Sequence, residues 1–149
     1  MFVMRKYIFT PVLDLFNNEV VSYSISTSPN LEQIREMLNG LFAKLPADAT
    51  PIFHSDQGWQ YQHAEYQRLL AEHNIIQSMS RKGNCMDNGA MENFFGRLKV
   101  EMFYGEKFES VNAFIDELKK YIHYYNYERI SLKLKGMSPV QYRTHSHAI

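Results

Sequence analysis

The chain has 149 residues, of which 45% are hydrophobic, so it can bury a sizeable core and is not a disordered protein. Its single cysteine, Cys85, excludes an internal disulfide and a cysteine-rich zinc cluster. No apolar run is long enough for a signal peptide or a membrane span. Both observations suit a cytoplasmic protein. The net charge of zero argues against a protein that coats nucleic acid. The charge is unevenly spread, because residues 1–80 carry 5 basic and 8 acidic side chains, whereas residues 81–149 carry 11 basic and 8 acidic ones.

The first third of the chain predicts a β-hairpin followed by a helix. Residues 7–15 are rich in strand formers, although Pro11 demands an edge position or a bulge. Turn-forming residues separate them from residues 20–26, which alternate between apolar and polar. Residues 28–30 are typical of a helix start, apolar residues then recur with helical spacing, and Pro46 ends that helix.

The remainder alternates short strands with helices. Short apolar runs predict strands over residues 51–54 and 75–78, with a helix over about 63–73 between them. A further helix follows a loop, with Asp87 or Asn88 as its cap, and a last long helix begins near Ser110. This order predicts one mixed α/β domain over residues 1–149, with no internal repeat.

Asp56 stands where the strand over residues 51–54 ends against a turn containing Gly58. In open α/β sheets ligands bind at such strand ends, because the side chains there project into a crevice. An aspartate in this position is equally typical of a turn in which the carboxylate accepts a backbone hydrogen bond. Taken alone, Asp56 leaves both interpretations open.

Glu92 lies on a helix with a clear apolar stripe. The stripe consists of Met91, Phe94, Phe95, Leu98 and Met102. At about 100° per residue, Glu92 falls with Lys99 at the border of this stripe, where a carboxylate can reach the end of a sheet. The alternative is a solvated glutamate in the first turn, favoured by the helix dipole.

The neighbourhoods of these two carboxylates resemble one family. Residues 54–61 read His-Ser-Asp-Gln-Gly-Trp-Gln-Tyr and resemble the segment around the second aspartate of insertion-sequence DDE transposases. Residues 78–99, which include Asp87-Asn88-Gly89-Ala90-Met91-Glu92-Asn93-Phe94-Phe95, resemble the segment around their catalytic glutamate. The 35 residues between Asp56 and Glu92 match the spacing that this group shares with retroviral integrases. The similarity covers nearly the whole chain, since residues 138–142 resemble the C-terminal pattern of the group.

The resemblance implies a ribonuclease H-like fold, a mixed sheet flanked by helices. It implies DNA strand cleavage and joining by two-metal phosphoryl transfer, with Mg²⁺ or Mn²⁺ held by the catalytic residues Asp56 and Glu92. The expected partners are DNA, as transposon ends and target, and further copies of the chain in a homo-oligomer, with no membrane.

Four basic residues are candidates for contacts with DNA phosphates. They are Arg81, Lys82, Arg97 and Lys99. The alternative for all four is a solvated surface charge. Trp59 and Tyr61, beside Asp56, could stack on DNA bases or belong to the packing around the strand end.

The chain departs from the family pattern at its N-terminus. The first catalytic aspartate of the family lies on a strand before the hairpin, and the chain is expected to lack both that strand and that residue. Asp14 is interpreted as a second-strand residue outside the metal site. The chain is therefore expected to be a natural truncation or a fragment, inactive alone in strand cleavage. The alternatives are a non-catalytic remnant that binds DNA or a partner, and an unrelated α/β metallohydrolase.

Overall fold

The computed structural model describes residues 2–4, 7–81, 89–103 and 108–147. Within these residues the chain forms five strands and six α-helices in a mixed α/β arrangement. The strands are β1 Phe2–Met4, β2 Tyr7–Leu13, β3 Val20–Ser26, β4 Ile52–Ser55 and β5 Ile76–Met79. The helices are α1 Leu31–Phe42, α2 Trp59–Gln62, α3 Ala64–Glu72, α4 Gly89–Leu98, α5 Val111–Tyr127 and α6 Pro139–His147.

The strands belong to two small sheets. In the first, the strand order is β1-β2-β3, and β1 pairs antiparallel with β2 from Phe2 opposite Phe9 to Met4 opposite Tyr7. In the second, β4 and β5 run parallel, with Ile52 opposite Ile76. The two strands of the hairpin and the two later strands therefore form where the sequence predicts them, within two residues at each end.

Several elements have no counterpart in the sequence prediction. The chain was expected to lack a strand before the hairpin, but β1 lies there and pairs with β2, so that expectation is corrected. The residues of β1, Phe2–Met4, include no carboxylate. The four-residue helix α2 is too short to show a period. Helix α6 is polar over most of its surface, so an apolar stripe does not mark it, although Pro139 at its first position suits a helix start. Between α4 and α5, a single π-helical turn spans Lys99–Phe103.

The described residues group into two compact units, and the first comprises Met1–Val12 and Val21–Gly89. Its core combines aliphatic side chains of α1 with tyrosines of α2 and α3. The buried members are Val12, Ile34, Met37, Leu38, Leu41, Tyr61, Tyr66, Leu70 and Ile75. Asn30 caps α1 by accepting a hydrogen bond from the Gln33 amide at 2.9 Å, as the predicted helix start requires.

The second unit comprises Leu13–Val20 and Ala90–Ile149. Its buried apolar side chains come from α4, α5 and the turns that follow them. They include Phe94, Leu98, Met102, Leu118, Ile122, Tyr125 and Leu134. Ser110 caps α5 at the predicted position, because its hydroxyl accepts from the Ala113 amide at 3.1 Å. No helix in the described part of the chain is both long and apolar enough to cross a membrane.

Candidate metal-binding carboxylates

Asp56 follows β4 directly and is exposed, whereas Ser55 before it is buried. Its Oδ1 accepts a hydrogen bond of 2.7 Å from the amide of Gly58. The turn interpretation of Asp56 is therefore confirmed. The hydrogen bond from Gly58 occupies only Oδ1, since among the described residues no donor reaches Oδ2 of Asp56. The two interpretations of Asp56 are thus compatible, because the turn fixes the carboxylate and leaves an oxygen that could bind a ligand.

Gly58 is required by close packing. A Cβ at this position would lie 2.9 Å from Oε1 of Gln60 and 3.0 Å from Oδ1 of Asp56. Gln60 is itself buried, so its amide cannot simply swing away. The loop is also tied to the neighbouring strand end, because Gln57 Nε2 donates to the Ser80 carbonyl at 3.1 Å. A glycine and a strand-end contact together hold the Asp56 loop in shape.

The two aromatic residues beside Asp56 have different environments. Tyr61 is buried, and its ring lies edge-on to that of Tyr66 with centroids 5.3 Å apart. Burial raises the pKa of Tyr61, and the nearby charge of Asp56 raises it further. Trp59 is 53% exposed. Tyr61 is therefore a core residue, as the packing interpretation predicts. Of the two residues, only Trp59 exposes its ring to solvent.

Glu92 lies in the first turn of α4 and is exposed. The helix buries Phe94 and Leu98 completely and Met91 and Phe95 in part, which confirms the predicted stripe. Glu92 thus projects from the border of a stripe that is anchored in the core of the second unit. Phe94 provides much of this anchor, edge-on to Tyr125 with ring centroids 5.1 Å apart.

Arg97 turns toward the same tyrosine. Arg97 and Tyr125 line the same small cavity, and the Tyr125 hydroxyl donates a hydrogen bond to the Asn18 carbonyl at 2.8 Å. Burial raises the pKa of Tyr125, and the positive charges of Arg97 and Arg129 oppose that rise. Arg97 of α4 therefore lies beside Tyr125 of α5, a proximity that the sequence does not reveal.

A charged cluster joins the π-helical turn to α5 and the residues after it. Glu101 accepts a hydrogen bond of 2.7 Å from the Tyr121 hydroxyl and pairs with Arg129, whose Nη2 lies 2.7 Å from Glu101 Oε1. Burial acts to raise the pKa of Glu101, but the hydrogen bonds from Arg129 and Tyr121 outweigh it, so the pKa is lowered. Sequence reasoning missed this cluster, because its members lie 20 and 28 residues from Glu101.

The remaining predicted site residues have varied surroundings. Arg81 and Lys99 are exposed, Lys99 as the first residue of the π-helical turn, and Lys82 lies outside the described residues. Asp14 begins the turn after β2, where its Oδ1 accepts from the Phe16 amide at 2.9 Å. No group of three His, Cys, Asp or Glu side chains able to hold a metal ion occurs among the described residues.

The two candidate carboxylates belong to different compact units. Asp56 lies in the first and Glu92 in the second. The structure therefore fixes the immediate surroundings of each, and their pairing at one metal site stays a prediction.

Two family models match the chain, and both are described as integrase core domain. One matches residues 2–85 and the other residues 92–146. Together they cover both candidate carboxylates.

Relatives among known proteins are similar over almost the whole chain. An uncharacterized transposase-like protein of Haemophilus influenzae is 56% identical over 95% of this chain and 65% of its own length. The putative transposase InsK for insertion sequence element IS150 of Escherichia coli is 52% identical over 96% of this chain and 50% of its own length. The chain thus spans between half and two thirds of the length of these relatives.

Solved structures resemble the chain in fold. The catalytic core domain of BIV integrase matches with a TM-score of 0.67 and 18% identity, over 97% of this chain and 90% of that one. The HTLV-2 integrase catalytic core domain, solved in complex with magnesium in a trimeric form, matches with a TM-score of 0.54 and 17% identity, over 87% and 79% of the two chains. The predicted ribonuclease H-like fold is confirmed.

Proposed function

Because the chain belongs to the integrase core domain family, with insertion-sequence transposases among its relatives, we propose that it forms part of a transposase core that cleaves and joins DNA strands. Asp56 and Glu92 are the proposed catalytic residues. The observation that carries the proposal is the Asp56 loop, where a strand end, Gly58 and the Ser80 carbonyl hold an exposed carboxylate within a family-matched segment. The chain spans only part of its relatives, so the activity belongs to the proposal.

The donor chemistry of the two carboxylates fits a hard divalent cation. Both are exposed and offer only oxygen, which suits Mg²⁺ or Mn²⁺ rather than a thiolate-binding or imidazole-binding metal. Asp56 would bind through the oxygen that the Gly58 amide leaves available. When bound, such ions activate an attacking hydroxyl or water and stabilise the leaving oxygen. The part played by the chain is to hold Asp56 and Glu92 in fixed orientations through the loop and the anchored helix.

DNA is the proposed substrate, as transposon ends and target, and basic residues near the carboxylates would meet its phosphates. Arg81 and Lys99 are exposed. Arg81 lies within the first segment that a family model matches, and Lys99 lies within the second. Arg97 is half-buried beside Tyr125, so it would present less of its charge to DNA than Arg81 or Lys99. Lys82 is proposed from the sequence alone. Neutralised phosphates release counterions, so binding should weaken steeply as salt rises.

Two carboxylates are too few for the reaction as proposed. Two divalent cations would need a further anionic ligand besides Asp56 and Glu92 to balance their charge. We therefore propose that this chain alone is inactive in strand cleavage and joining. The second candidate function is that of a non-catalytic transposase remnant that still binds DNA. Such a remnant would keep the contacts with DNA phosphates and would not need the metal.

A cleavage assay on DNA carrying insertion-sequence ends, with Mg²⁺ or Mn²⁺, tests these proposals. The assay compares this chain with a longer polypeptide that also contains the additional sequence of the relatives. Each of the two proteins is tested as the parent, as Asp56→Asn and as Glu92→Gln. We expect cleavage only by the longer polypeptide, reduced by a factor of about 10³ or more in either variant because a metal ligand is lost. Robust cleavage by the short chain would refute its proposed inactivity, and equal cleavage by the variants would refute the proposed site.

A further inference from the structure

A short, well-defined turn follows α5. The amide of Gly136 donates to the Ser131 carbonyl at 2.9 Å, and the amide of Met137 donates to the Leu134 carbonyl at 3.1 Å. Gly136 has a φ of 79°, a conformation that glycine adopts without strain, and the buried Leu134 anchors the turn in the second unit. We call residues 130–135 the post-α5 turn.

This turn presents aliphatic side chains to solvent. Leu132 is 97% exposed and Ile130 is 65% exposed. Lys133 and Lys135, both exposed, stand beside them. Leu132 gains almost nothing from folding in this position because it stays in water, and Ile130 remains mostly in water. Since the hydrogen bonds already order the turn, burying these side chains against a partner would cost little conformational entropy.

The same unit contains a cavity of about 650 Å³ beside α5. Its apolar and aromatic lining includes Met102, Phe108, Tyr121 and Tyr124. Three exposed carboxylates also line it: Glu101, which pairs with Arg129, and Glu109 and Glu117. The cavity therefore combines an apolar wall with negative charge. That is complementary to an aliphatic side chain flanked by lysines.

We propose that the post-α5 turn of one copy of this chain inserts into the α5 cavity of a second copy. Leu132 would enter the cavity and pack against its apolar wall, with Lys133 and Lys135 facing Glu109 and Glu117. The existing pair of Glu117 with Lys120, 3.3 Å long and exposed, is of the weak kind that exchanges readily. Two different surfaces meet, so the contact is head-to-tail and leads to rings or chains of copies. This inference does not depend on the proposed DNA chemistry.

A nucleic acid is the competing occupant of the turn, since lysines also bind phosphates. The exposed aliphatic side chains favour the protein surface, because phosphates cannot desolvate Leu132 and Ile130 while the aromatic wall of the cavity can. The small size of one turn implies a weak contact, well below the area of a stable interface.

Sedimentation velocity without DNA, at protein concentrations up to about 1 mM where weak contacts are populated, tests the proposal. We expect Leu132→Asp to weaken self-association about tenfold or more. The matched control is Leu15→Asp, at another leucine of the same unit that is 69% exposed, and it should associate like the parent chain. Far-ultraviolet circular dichroism confirms that both variants fold.

A charge exchange identifies the surfaces. Lys133→Glu with Lys135→Glu, and separately Glu109→Lys with Glu117→Lys, should each weaken self-association, while an equimolar mixture of the two double variants should associate again. A parent chain that stays monomeric throughout, or a mixture without recovery, overturns the proposal. Loss of DNA binding by Leu132→Asp with self-association unchanged would overturn it in favour of DNA as the occupant.

Discussion

Gly58 and Gly96 are two glycines near the candidate carboxylates, and their surroundings differ. A Cβ at Gly58 would press against Gln60 and Asp56, whereas a Cβ at Gly96, in the middle of α4, would meet nothing within 4 Å. The first glycine is therefore required by packing around Asp56. The second only lowers the helix propensity of α4.

Substitution of each glycine by alanine should have opposite effects. We expect Gly58→Ala to lower the free energy of unfolding by about 1–2 kcal/mol, because buried Gln60 and the Asp56 loop must both move. Gly96→Ala should raise it by up to about 1 kcal/mol. Urea unfolding measures both. A neutral Gly58→Ala would mean that the Asp56 loop tolerates a shift and does not hold the carboxylate in a fixed orientation.

Among the secondary-structure elements, helix α5 supplies hydrogen bonds to Val20, the first residue of strand β3. The Asn126 side chain accepts from the Val20 amide at 2.9 Å and donates to the Val20 carbonyl at 3.0 Å, as a neighbouring strand would. Asn126 is buried, so removal of its amide leaves both backbone groups without a partner. We expect Asn126→Ala to cost about 2–4 kcal/mol of unfolding free energy. Asn112→Ala, at an exposed position of the same helix, should change it by less than about 0.5 kcal/mol.

The Glu101 cluster makes the link between the π-helical turn and α5 sensitive to acid. The folded pKa of Glu101 lies below its ordinary value of 4.5, so its stabilising contribution is complete above that value and is lost as the pH falls through the folded pKa. We expect Glu101→Gln to be less stable than the parent chain at neutral pH, with the difference shrinking below about pH 4.5. Chemical unfolding at several pH values measures this. A difference independent of pH would mean that the Glu101 charge does not contribute. The control is Glu36→Gln, at an exposed position of α1.

For the molecule as a whole, local pattern predicted most elements and few of the contacts between them. The alternation of β3 and the spacing of apolar residues on α5 mark their own secondary structure. Helix α6 has no such stripe. The partner of Asn126 lies 106 residues away, so no local pattern could indicate that hydrogen bond.

The candidate site divides in the same way. The turn and strand-end alternatives for Asp56 could both be stated from the sequence, and the Gly58 amide contact explains why they coexist. The proximity of Arg97 to Tyr125 could not be predicted from the sequence, because only the fold brings the two residues together. The pairing of Asp56 with Glu92 rests on the spacing that the family shares, because the two residues lie in separate compact units.

That pairing is tested most directly by Mn²⁺ binding, followed by electron paramagnetic resonance, to the parent chain, Asp56→Asn, Glu92→Gln and the double variant. If both carboxylates hold one metal site, each single substitution should weaken binding about tenfold or more, and the double variant should be little weaker than either. The contrary result is Mn²⁺ affinity that is equal in all four proteins, or losses that simply add, since either would mean that Asp56 and Glu92 do not share a metal site.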